Sequence, residues 1–444
     1  MPGYLNIHES DTRNLTSWGN YPVVESSVFM CNDEQEARSY ILNEGTTIPR
    51  GNGRSYGDSA LGKNVINLLQ LNKFISFDDQ SGILHCESGV LLEDIVRIFL
   101  PQGWFLRVTP GTKLITVGGA IASDIHGKNH HQAGCFSSNV LDFRLLLSDG
   151  TCITCAPDQN SEIFRATCGG MGLTGIILDS RIKLQQVTSR NILQQTIKSE
   201  NLQSTFDLFD KHELEPYSVA WIDSLASEKN LGRCLFMKGD FACDGNLNYS
   251  PSKSLNIPFY FPVFCLNTMS VKAFNYLYYN KIRDNFIEST VSVDAFFYPL
   301  DAVNNWNRIY GRQGFTQYQF VLPKEKSFDG LREILIRIHR SGQGSFLAVL
   351  KLFGKENENY LSFPCEGYTL ALDFKVSPGI FRLLEELDKI VLSCNGRIYL
   401  SKDVRMNTAM FRKGYEKLDG FLKIRKELRA DAKFISLQSI RLQL

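Results

Sequence analysis

The stretch that decides the fold is T-V-G-G-A-I-A-S-D-I-H-G-K-N-H-H, residues 116–131, which follows P-G-T at residues 110–112. The glycines and alanines at 118–122 carry almost no side chain, so a flat and bulky group can lie directly against this backbone. His126 follows in a turn that is too rich in glycine for a helix. Small residues followed by one histidine indicate that this segment forms one wall of a binding site for a large planar cofactor.

A metal site is the alternative interpretation of His126, His130 and His131, because histidine is the commonest metal ligand. A zinc site needs three or four ligands at helix or hairpin spacing, with cysteine or carboxylate partners nearby. That spacing is missing here, and Lys128 would place a cation among the ligands. The pattern therefore predicts that no metal is bound.

The composition bounds the class of protein. At 444 residues the chain is long enough for two or three domains, and its 48 Lys and Arg against 47 Asp and Glu leave no basic surplus for binding nucleic acid. Eleven cysteines scattered from Cys31 to Cys394 indicate free thiols in a reducing compartment. Residues 1–20 show no signal peptide, and no apolar run approaches about 18 residues, so we expect a cytoplasmic protein.

Two further glycine-rich loops need interpretation. G-N-G-R-S-Y-G-D at residues 51–58 has three glycines in seven residues, whose backbone N–H groups can form a concave nest for a pyrophosphate. A plain surface loop explains this segment alone equally well. G-G-M-G-L-T-G at 169–175 matches G-x-G-x-x-G literally. However, a helix is predicted before it and a strand after it, the reverse of a nicotinamide-binding fold.

The apolar periodicity predicts helices and strands on both sides of these loops, with a change at about residue 188 to alternating strands and longer amphipathic helices. Before residue 188 we expect helices at 34–43, 91–100 and 161–168, strands at 65–69, 83–86 and 176–184, and a hairpin of 140–147 with 151–155. After it we expect strands at 217–223, 317–322, 346–353 and 368–374, and helices at 328–339 and 379–392 that cover one sheet face.

The segment 257–266, I-P-F-Y-F-P-V-F-C-L, is apolar but too short to span a bilayer. Pro258 and Pro262 exclude it from the middle of a sheet. A buried loop and an exposed patch that contacts lipid are equally compatible with this pattern. If the second holds, the protein contacts a membrane surface peripherally through these residues.

Lys402 stands in R-I-Y-L-S-K-D-V-R, residues 397–405, which the pattern predicts to be an apolar strand. A charge inside such a strand is costly unless it has a function. A surface lysine that extends from the end of a strand is the alternative.

Together these blocks resemble, nearly end to end, the two-domain FAD oxidoreductases of the vanillyl-alcohol-oxidase type. Within that family the chain looks like the branch that oxidises a polyprenylphosphoryl-ribose. The block D-I-H-G-K-N-H-H at 124–131 is far more specific than any glycine motif alone. The other matching blocks are L-T-S-W-G at 15–19, R-G-N-G-R-S-Y-G-D at 50–58, G-L-T-G-I-I at 172–177, Y-P-L-D at 298–301, W-N-R at 306–308, Y-Q-F-V-L-P at 318–323, K-L-F-G at 351–354, L-S-F-P at 361–364 and K-D-V-R at 402–405.

The resemblance implies an α+β, two-domain fold of the PCMH type. Residues 1–187 would form the FAD-binding domain and residues 188–396 a substrate domain with an antiparallel sheet. Residues 397–444 would then return to the FAD domain.

The resemblance also implies the cofactor and the residues that hold it. In many relatives a histidine at the position of His126 is bonded to the flavin, but in this branch it stays unbonded, so we expect non-covalent FAD. The implied cofactor-binding residues are Arg50, Gly51, Asn52, Gly53, Arg54, Ser55, Tyr56, Gly111, Thr112, Thr116, Gly118, Gly119, Ala122, Ile125, His126, Gly127, Asn129, Gly172, Gly175, Ile176, Tyr399 and Lys402.

The implied reaction is oxidation of the ribose C2 hydroxyl to a ketone by hydride transfer to flavin N5, the first half of an epimerisation that supplies arabinose for a cell-wall arabinan. A separate NAD(P)H-dependent short-chain reductase would complete it. Lys402 fits either a cation that stabilises developing charge or a base. The implied catalytic positions are Lys402, Tyr56, Tyr399, Gln319, Lys351 and Asp373.

The chain departs from this branch on one strand, where the branch carries N-x-C-x-D and this sequence has Thr369, Ala371 and Asp373. The missing thiol is not the hydride acceptor, so its loss predicts resistance to inhibitors that capture this cysteine rather than loss of oxidation. Phe297 and Tyr298 also replace the expected tyrosine and histidine.

Two alternatives stay open at this point. One is an alditol or aldonolactone oxidase of the same superfamily, which would use O2 on a soluble substrate. The other is a non-catalytic partner protein that binds flavin or metal. The apolar segment 257–266 favours the lipid-linked substrate over the soluble one.

Overall fold

The computed structural model describes residues 11–251 and 254–444. Its strands are β1 Asp11–Thr16, β2 Val23–Met30, β3 Ile48–Arg50, β4 Asn64–Asn67, β5 Phe74–Asp78, β6 Ile83–Glu87, β7 Trp104–Leu106, β8 Val140–Leu146, β9 Cys152–Cys155, β10 Ile176–Gln186, β11 Asn191–Ser199, β12 Tyr217–Ile222, β13 Cys234–Phe241, β14 Leu255–Asn256, β15 Phe286–Ser292, β16 Val303–Asn304, β17 Phe315–Pro323, β18 Ala348–Phe353, β19 Gly367–Lys375 and β20 Arg397–Ile398.

The α-helices of the same residues are α1 Glu34–Asn43, α2 Leu92–Phe99, α3 Val117–Ala122, α4 His130–Ala133, α5 Ser161–Thr167, α6 Leu202–Lys211, α7 Thr268–Tyr279, α8 Val293–Phe297, α9 Lys324–Ser341, α10 Pro378–Ser393, α11 Thr408–Gly414, α12 Leu418–Glu427 and α13 Leu437–Leu442. None of the helices in the described residues has the length and apolar character needed to cross a bilayer.

The N-terminal part of the chain builds two sheets. Strands β2, β4 and β3 run parallel, and β1 joins the edge antiparallel. The second sheet is antiparallel in the order β5-β6-β10-β8-β9, and β7 pairs with the far end of β10. Because β10 ends at Gln186 and Asn191 opens a different sheet, we propose a domain boundary close to residue 187.

The following part builds one antiparallel sheet of eight strands in the order β15-β11-β13-β12-β18-β19-β17-β20. Helices α9 and α10 cover one face of it, with Leu335 and Leu384 fully buried in the shared core. This arrangement confirms the predicted helices over a sheet face, and the combination of helices with antiparallel sheets confirms the α+β class.

The C-terminal residues return to the N-terminal part of the chain. The backbone N–H of Thr47 donates to the carbonyl of Lys433 at 2.8 Å, and Arg441 binds the carboxylate of Asp58 at 2.7 Å. Nearer the start of the C-terminal segment, the carbonyl of Ser401 accepts a hydrogen bond from the N–H of Tyr56 at 2.9 Å. The glycine-rich loop 51–58 is therefore held in place by residues of the C-terminal segment.

Several local predictions are confirmed. Helix α1 spans the predicted residues, with Asp33 accepting from the N–H of Glu36 as its N-cap. The hairpin of β8 and β9 forms across Asp149-Gly150. All eleven cysteines, each within the described residues, have free thiols.

One sequence interpretation is wrong, and one of the two alternatives left open for residues 257–266 is excluded. The strand predicted at 397–405 ends at Ile398, because the chain leaves β17 there to pair with the loop at Tyr56. Lys402 consequently lies in a turn, where its N–H donates to the Tyr399 carbonyl. The segment 257–266 is not a buried loop, since Phe259 and Phe264 are 62% and 76% exposed.

Candidate active site

A cavity of about 700 Å3 lies between the glycine loops and the eight-stranded sheet. It brings together most of the residues that the sequence assigned to the cofactor and to catalysis. Those that line it are Arg50, Gly51, Asn52, Gly53, Arg54, Ser55, Tyr56, Gly111, Thr112, Thr116, Gly118, Gly119, Ala122, Ile125, His126, Gly172, Gly175, Gln319, Lys351, Tyr399 and Lys402.

The loop 51–55 has the chemistry of an anion cradle. Its five backbone N–H groups donate to no acceptor among the described residues. Unpaired N–H groups that face a cavity are expected to bind an anion, such as a pyrophosphate. Gly53 has φ of +62°, in the left-handed region of backbone conformation that favours glycine.

Close packing also requires glycine in the cradle. A Cβ on Gly51 would lie 2.3 Å from Thr116 Oγ1, and one on Gly118 would lie 2.8 Å from the Cβ of Ser88. Thr116 itself caps α3 by accepting from the N–H of Gly119 at 3.1 Å. Two glycine motifs far apart in the sequence thus meet through one threonine, and the residues present fit an extended dinucleotide such as FAD.

His126 is a buried aromatic wall of the cavity. Its ring centre lies 4.7 Å from that of Phe353 and 5.2 Å from that of Tyr399. The side-chain amide nitrogen of Gln319 lies 3.0 Å from Nε2, while Nδ1 is buried without a hydrogen-bond partner among the described residues. Burial holds the pKa of His126 well below its usual value, so the ring is neutral.

The three histidines do not converge. His130 accepts from the N–H of Gly354 at 3.1 Å, while His131 donates to the Glu215 carbonyl at 2.8 Å. In the residues that the structure describes, no group of three His, Cys, Asp or Glu side chains could hold a metal ion.

Besides the exposed Lys281, three lysines of the described residues line the same cavity: Lys128, Lys351 and Lys402. Each is half-buried, open to the cavity but deep below the outer surface. Desolvation lowers the pKa of Lys351 to about 8 and, helped by Lys351, the pKa of Lys128 to about 7. Desolvation also lowers the pKa of Lys402, whose Nζ lies 3.6 Å from the centre of the Tyr56 ring.

Asp373 lies behind this cluster rather than on the cavity wall. Gln317 donates to its Oδ1 at 2.6 Å, and its Oδ2 is buried without a hydrogen-bond partner among the described residues. Burial raises the pKa of Asp373, while the charge of Lys402 opposes that rise. The carboxylate in turn favours the protonated form of Lys402.

Three of the expected cofactor residues also lie outside the cavity lining. The amide of Asn129 donates to the Arg107 carbonyl at 2.8 Å, and Gly127 packs against Asn129 and the backbone of Thr109. Ile176 is fully buried in a separate core, because side chains alternate along β10 and its neighbours at 175 and 177 face the cavity instead.

Several lining residues were missed by the sequence analysis. Gln317 was detectable, because it lies two residues before Gln319 and therefore on the same face of β17. Lys128 was within the quoted block but was weighed only as a cation among metal ligands. Nothing in the sequence indicated that Trp221 lines the cavity, because a tryptophan in an apolar strand is ordinarily a core residue.

The departures from the branch pattern map onto the cavity as well. Thr369 and Ala371 line it on β19, where the branch carries the amide and the thiol. Phe297 lines it too, whereas Tyr298 is turned into the core with its hydroxyl 2.7 Å from Thr109 Oγ1.

Comparison with known proteins now adds to this geometry. Residues 35–156 match the family model described as FAD binding domain. Over 98% of both chains, the sequence is 36% identical to decaprenylphosphoryl-β-D-ribose oxidase of Mycolicibacterium smegmatis.

The chain belongs to the decaprenylphosphoryl-β-D-ribose oxidase family.

Other similarities cover only part of the chain. L-gulonolactone oxidase of Mus musculus is 28% identical over 36% of each chain, and D-lactate dehydrogenase of Anaerostipes hadrus is 25% identical over 39% of each. As a member of the decaprenylphosphoryl-β-D-ribose oxidase family, the protein is an FAD-dependent oxidoreductase that acts on CH–OH groups, as the sequence predicted. The soluble-sugar oxidases of the alternative are distant relatives.

Proposed function

We propose that this protein oxidises the ribose C2 hydroxyl of a polyprenylphosphoryl-ribose to the 2-keto sugar, the first half of a 2-epimerisation. The observation that carries the proposal is the cavity, which joins an FAD-compatible cradle to three lysines and continues to Tyr278 and Lys281 beside an exposed apolar surface. A lipid-linked sugar needs both parts of such a cavity, because its ribose requires a polar pocket and its lipid chain requires an apolar exit.

The cofactor is assigned to the cradle. FAD supplies the hydride acceptor, N5, when it is bound. The loop 51–55 and Gly111 would hold the pyrophosphate, while His126 and Tyr399 would form a wall beside the ring system. Tyr399 is fixed for this by its hydroxyl, which donates to the Ser123 carbonyl at 2.9 Å, and by stacking on Phe363 at 4.6 Å.

Lys402 is assigned as the base. Desolvation lowers its pKa, so a neutral amine is available near neutral pH to accept the proton of the C2 hydroxyl as the C–H bond breaks. The ammonium that results is stabilised by the Tyr56 ring and by Asp373. Gln317 keeps Asp373 in place through its 2.6 Å hydrogen bond.

We assign Lys351 and Lys128 the role of balancing the negative charge of the bound substrate and cofactor. Lys351 has no ion pair among the described residues, and Lys128 donates only to the carbonyls of Phe296 and Phe297. Cations without a carboxylate in a cavity are expected to bind an anion, and the substrate phosphate and a reduced cofactor both carry negative charge.

The partners follow from the chemistry. The ketone must be reduced from the other face of the sugar, so we propose an NAD(P)H-dependent short-chain reductase as the consuming enzyme.

We also propose that the protein is cytoplasmic and contacts the membrane peripherally through residues 257–266. The exposed side chains of Phe259 and Phe264 support this contact.

The test is an anaerobic visible spectrum of the purified holoenzyme before and after addition of a polyprenylphosphoryl-ribose in detergent. Bleaching of the bound flavin is the expected result. A flavin that bleaches with soluble polyols and not with the lipid-linked sugar would instead assign the protein to the alditol or aldonolactone oxidases. A flavin that bleaches with neither would reject both oxidase assignments.

A further inference from the structure

Helix α7 exposes an apolar face to solvent. Met269, Tyr276 and Leu277 are 81%, 61% and 69% exposed. They recur at the spacing that places side chains on one side of a helix. Large apolar side chains that cluster on a surface, rather than occurring singly, mark an interaction site.

The opposite face of α7 is firmly attached to the protein. Val271 and Asn275 are buried, and the Asn275 amide donates to Asp223 at 2.8 Å. Asp223 is also bound by Arg233 at 2.7 Å. Asn267 caps the first turn with a capping box. The exposed stripe is therefore presented by a fixed helix with its own buried side.

The segment before α7 extends the apolar surface. Leu255, Phe259 and Phe264 are 74%, 62% and 76% exposed. The amide of Asn267 donates to the Phe264 carbonyl at 2.9 Å, which joins this segment to the first turn of the helix. We call residues 255–264 together with α7 the apolar face.

The charged residues within the stretch of sequence that carries the apolar face have one sign. Between Asp244 and Asp284 the sequence has no aspartate or glutamate, and its charged residues are Lys253, Lys272, Lys281 and Arg283. In a chain of net charge +1 this is a local excess of cations. Exposed apolar side chains interspersed with lysine and arginine are complementary to a bilayer that contains anionic lipid.

The apolar face also borders the cavity. Tyr278 and Lys281 line it, with Lys281 Nζ 3.8 Å from the Tyr278 ring centre. The Tyr278 ring in turn lies 4.6 Å from Trp221 on the cavity wall. Aromatic and cationic side chains at an opening are the residues that sit at the level of lipid headgroups.

We propose that the apolar face docks on an anionic lipid bilayer and holds the cavity opening at the headgroups. The proposal deepens the proposed function and rests on it for the identity of the substrate, whose lipid chain would then stay in the bilayer while its sugar enters the cavity. Docking itself needs no substrate and can be measured separately.

The experiment is sedimentation of the holoenzyme with vesicles of phosphatidylcholine containing about one-third phosphatidylglycerol, compared with phosphatidylcholine alone. We expect binding to the anionic vesicles that weakens with added salt. Met269→Glu with Leu277→Glu should weaken it at least about tenfold, since both apolar contacts are lost and two negative charges are added. Lys272→Glu should weaken it about fivefold or more.

Leu214→Glu is the matched control, because Leu214 is 90% exposed but lies outside the apolar face. It should bind vesicles as the unsubstituted protein does. Flavin content verifies that each variant folds. Vesicle binding that is absent, or unchanged in the double variant, overturns the proposal. A dimer that the same substitutions dissociate would assign the face to a second copy and overturn it too.

Failure of docking and failure of the proposed function are distinguishable. If the substrate in detergent bleaches the flavin but vesicles do not bind, only the docking surface is wrong. If vesicles bind but the flavin stays oxidised, only the substrate is wrong.

Discussion

The ammonium nitrogen of Lys402 lies 3.6 Å from the centre of the Tyr56 ring. The two residues are 346 positions apart in the sequence, and the backbone hydrogen bond from Tyr56 to Ser401 brings them together. The ring favours the charged form of the amine, while desolvation in the cavity opposes it. Lys402 can therefore change its protonation state near neutral pH, which is what a base must do.

Replacement of Lys402 tests this assignment. Lys402→Ala should slow flavin reduction by about 10²- to 10⁴-fold, the range ordinarily lost with a general base. Lys402→Arg should be equally slow, because arginine keeps the charge but cannot accept a proton. Stopped-flow absorbance at the flavin band measures both rates. An arginine variant with near-normal rate would show that the charge, and not proton transfer, is required.

The pH dependence gives an independent prediction. Lys402 has its pKa lowered by desolvation, so the amine is protonated and inactive at low pH and becomes neutral and active as the pH rises through that value. Flavin reduction should thus accelerate from acidic to alkaline pH in the unsubstituted enzyme and lose that rise in Lys402→Ala. A rate that declines over the same pH range would reject the base assignment.

The contribution of the Tyr56 ring can be separated from its hydroxyl. Tyr56→Phe keeps the ring beside Lys402 and should reduce flavin within about threefold of normal. Tyr56→Leu removes the cation–π contact, worth about 0.5–2 kcal/mol, and should lower the pH at which the rate rises. Comparison of the two pH profiles is the measurement. Coincident profiles in all three proteins would mean that the ring only fills space.

Gly51 in the cradle and Gly45 outside it differ in the space around them. Gly51→Ala places a Cβ 2.3 Å from Thr116 Oγ1 and should strongly weaken FAD binding, because the threonine that caps α3 must move. Gly45→Ala is the control, since an added Cβ there has no neighbour within 4 Å and Gly45 does not line the cavity. Titration of the apoproteins with FAD, followed by flavin fluorescence, gives the two affinities. Equal affinities would place the cofactor elsewhere.

Covalent attachment of the flavin can be tested directly. We expect acid precipitation to release all of the yellow colour into the supernatant, as for a non-covalent cofactor. Flavin retained in the washed pellet, and lost from it in His126→Ala, would show instead that His126 is bonded to the cofactor.

Ala371 gives a prediction about inhibitors. Compounds that capture a thiol at this position of the branch should inhibit this protein reversibly or not at all. Ala371 lines the cavity, so Ala371→Cys should introduce covalent modification there, visible as a mass increase of the intact protein. Modification of the unsubstituted protein at another cysteine would contradict this explanation.

The sequence predicted which glycines come together at one cavity because their requirements are local. Gly51 and Gly118 belong to short motifs in which close approach to Thr116 and Ser88 leaves no room for a side chain. The helix at Glu34–Asn43 and the hairpin after Val140 were predicted for the same reason, through a cap and a turn.

The environment of Lys402 was not predictable in this way. Its strand ends early because Ser401 pairs with Tyr56, a contact between distant parts of the chain that no local pattern records. Trp221 and Tyr278 became part of a cavity wall only through the packing of α7 on β12. Alternation along β17 would have revealed Gln317, which was overlooked although the pattern was visible.

The return of the C-terminus has a consequence for how the holoenzyme is made. Asp58, at the end of the glycine loop, is held by Arg441, which lies 383 positions later in the sequence. Gly57 is so close to the Asp403 carbonyl that it has no room for a side chain. During translation these contacts can form only after residues 403 and 441 have left the ribosome. The cradle is therefore completed only once the segment 397–444 has been made, and we expect the flavin to be loaded after that point.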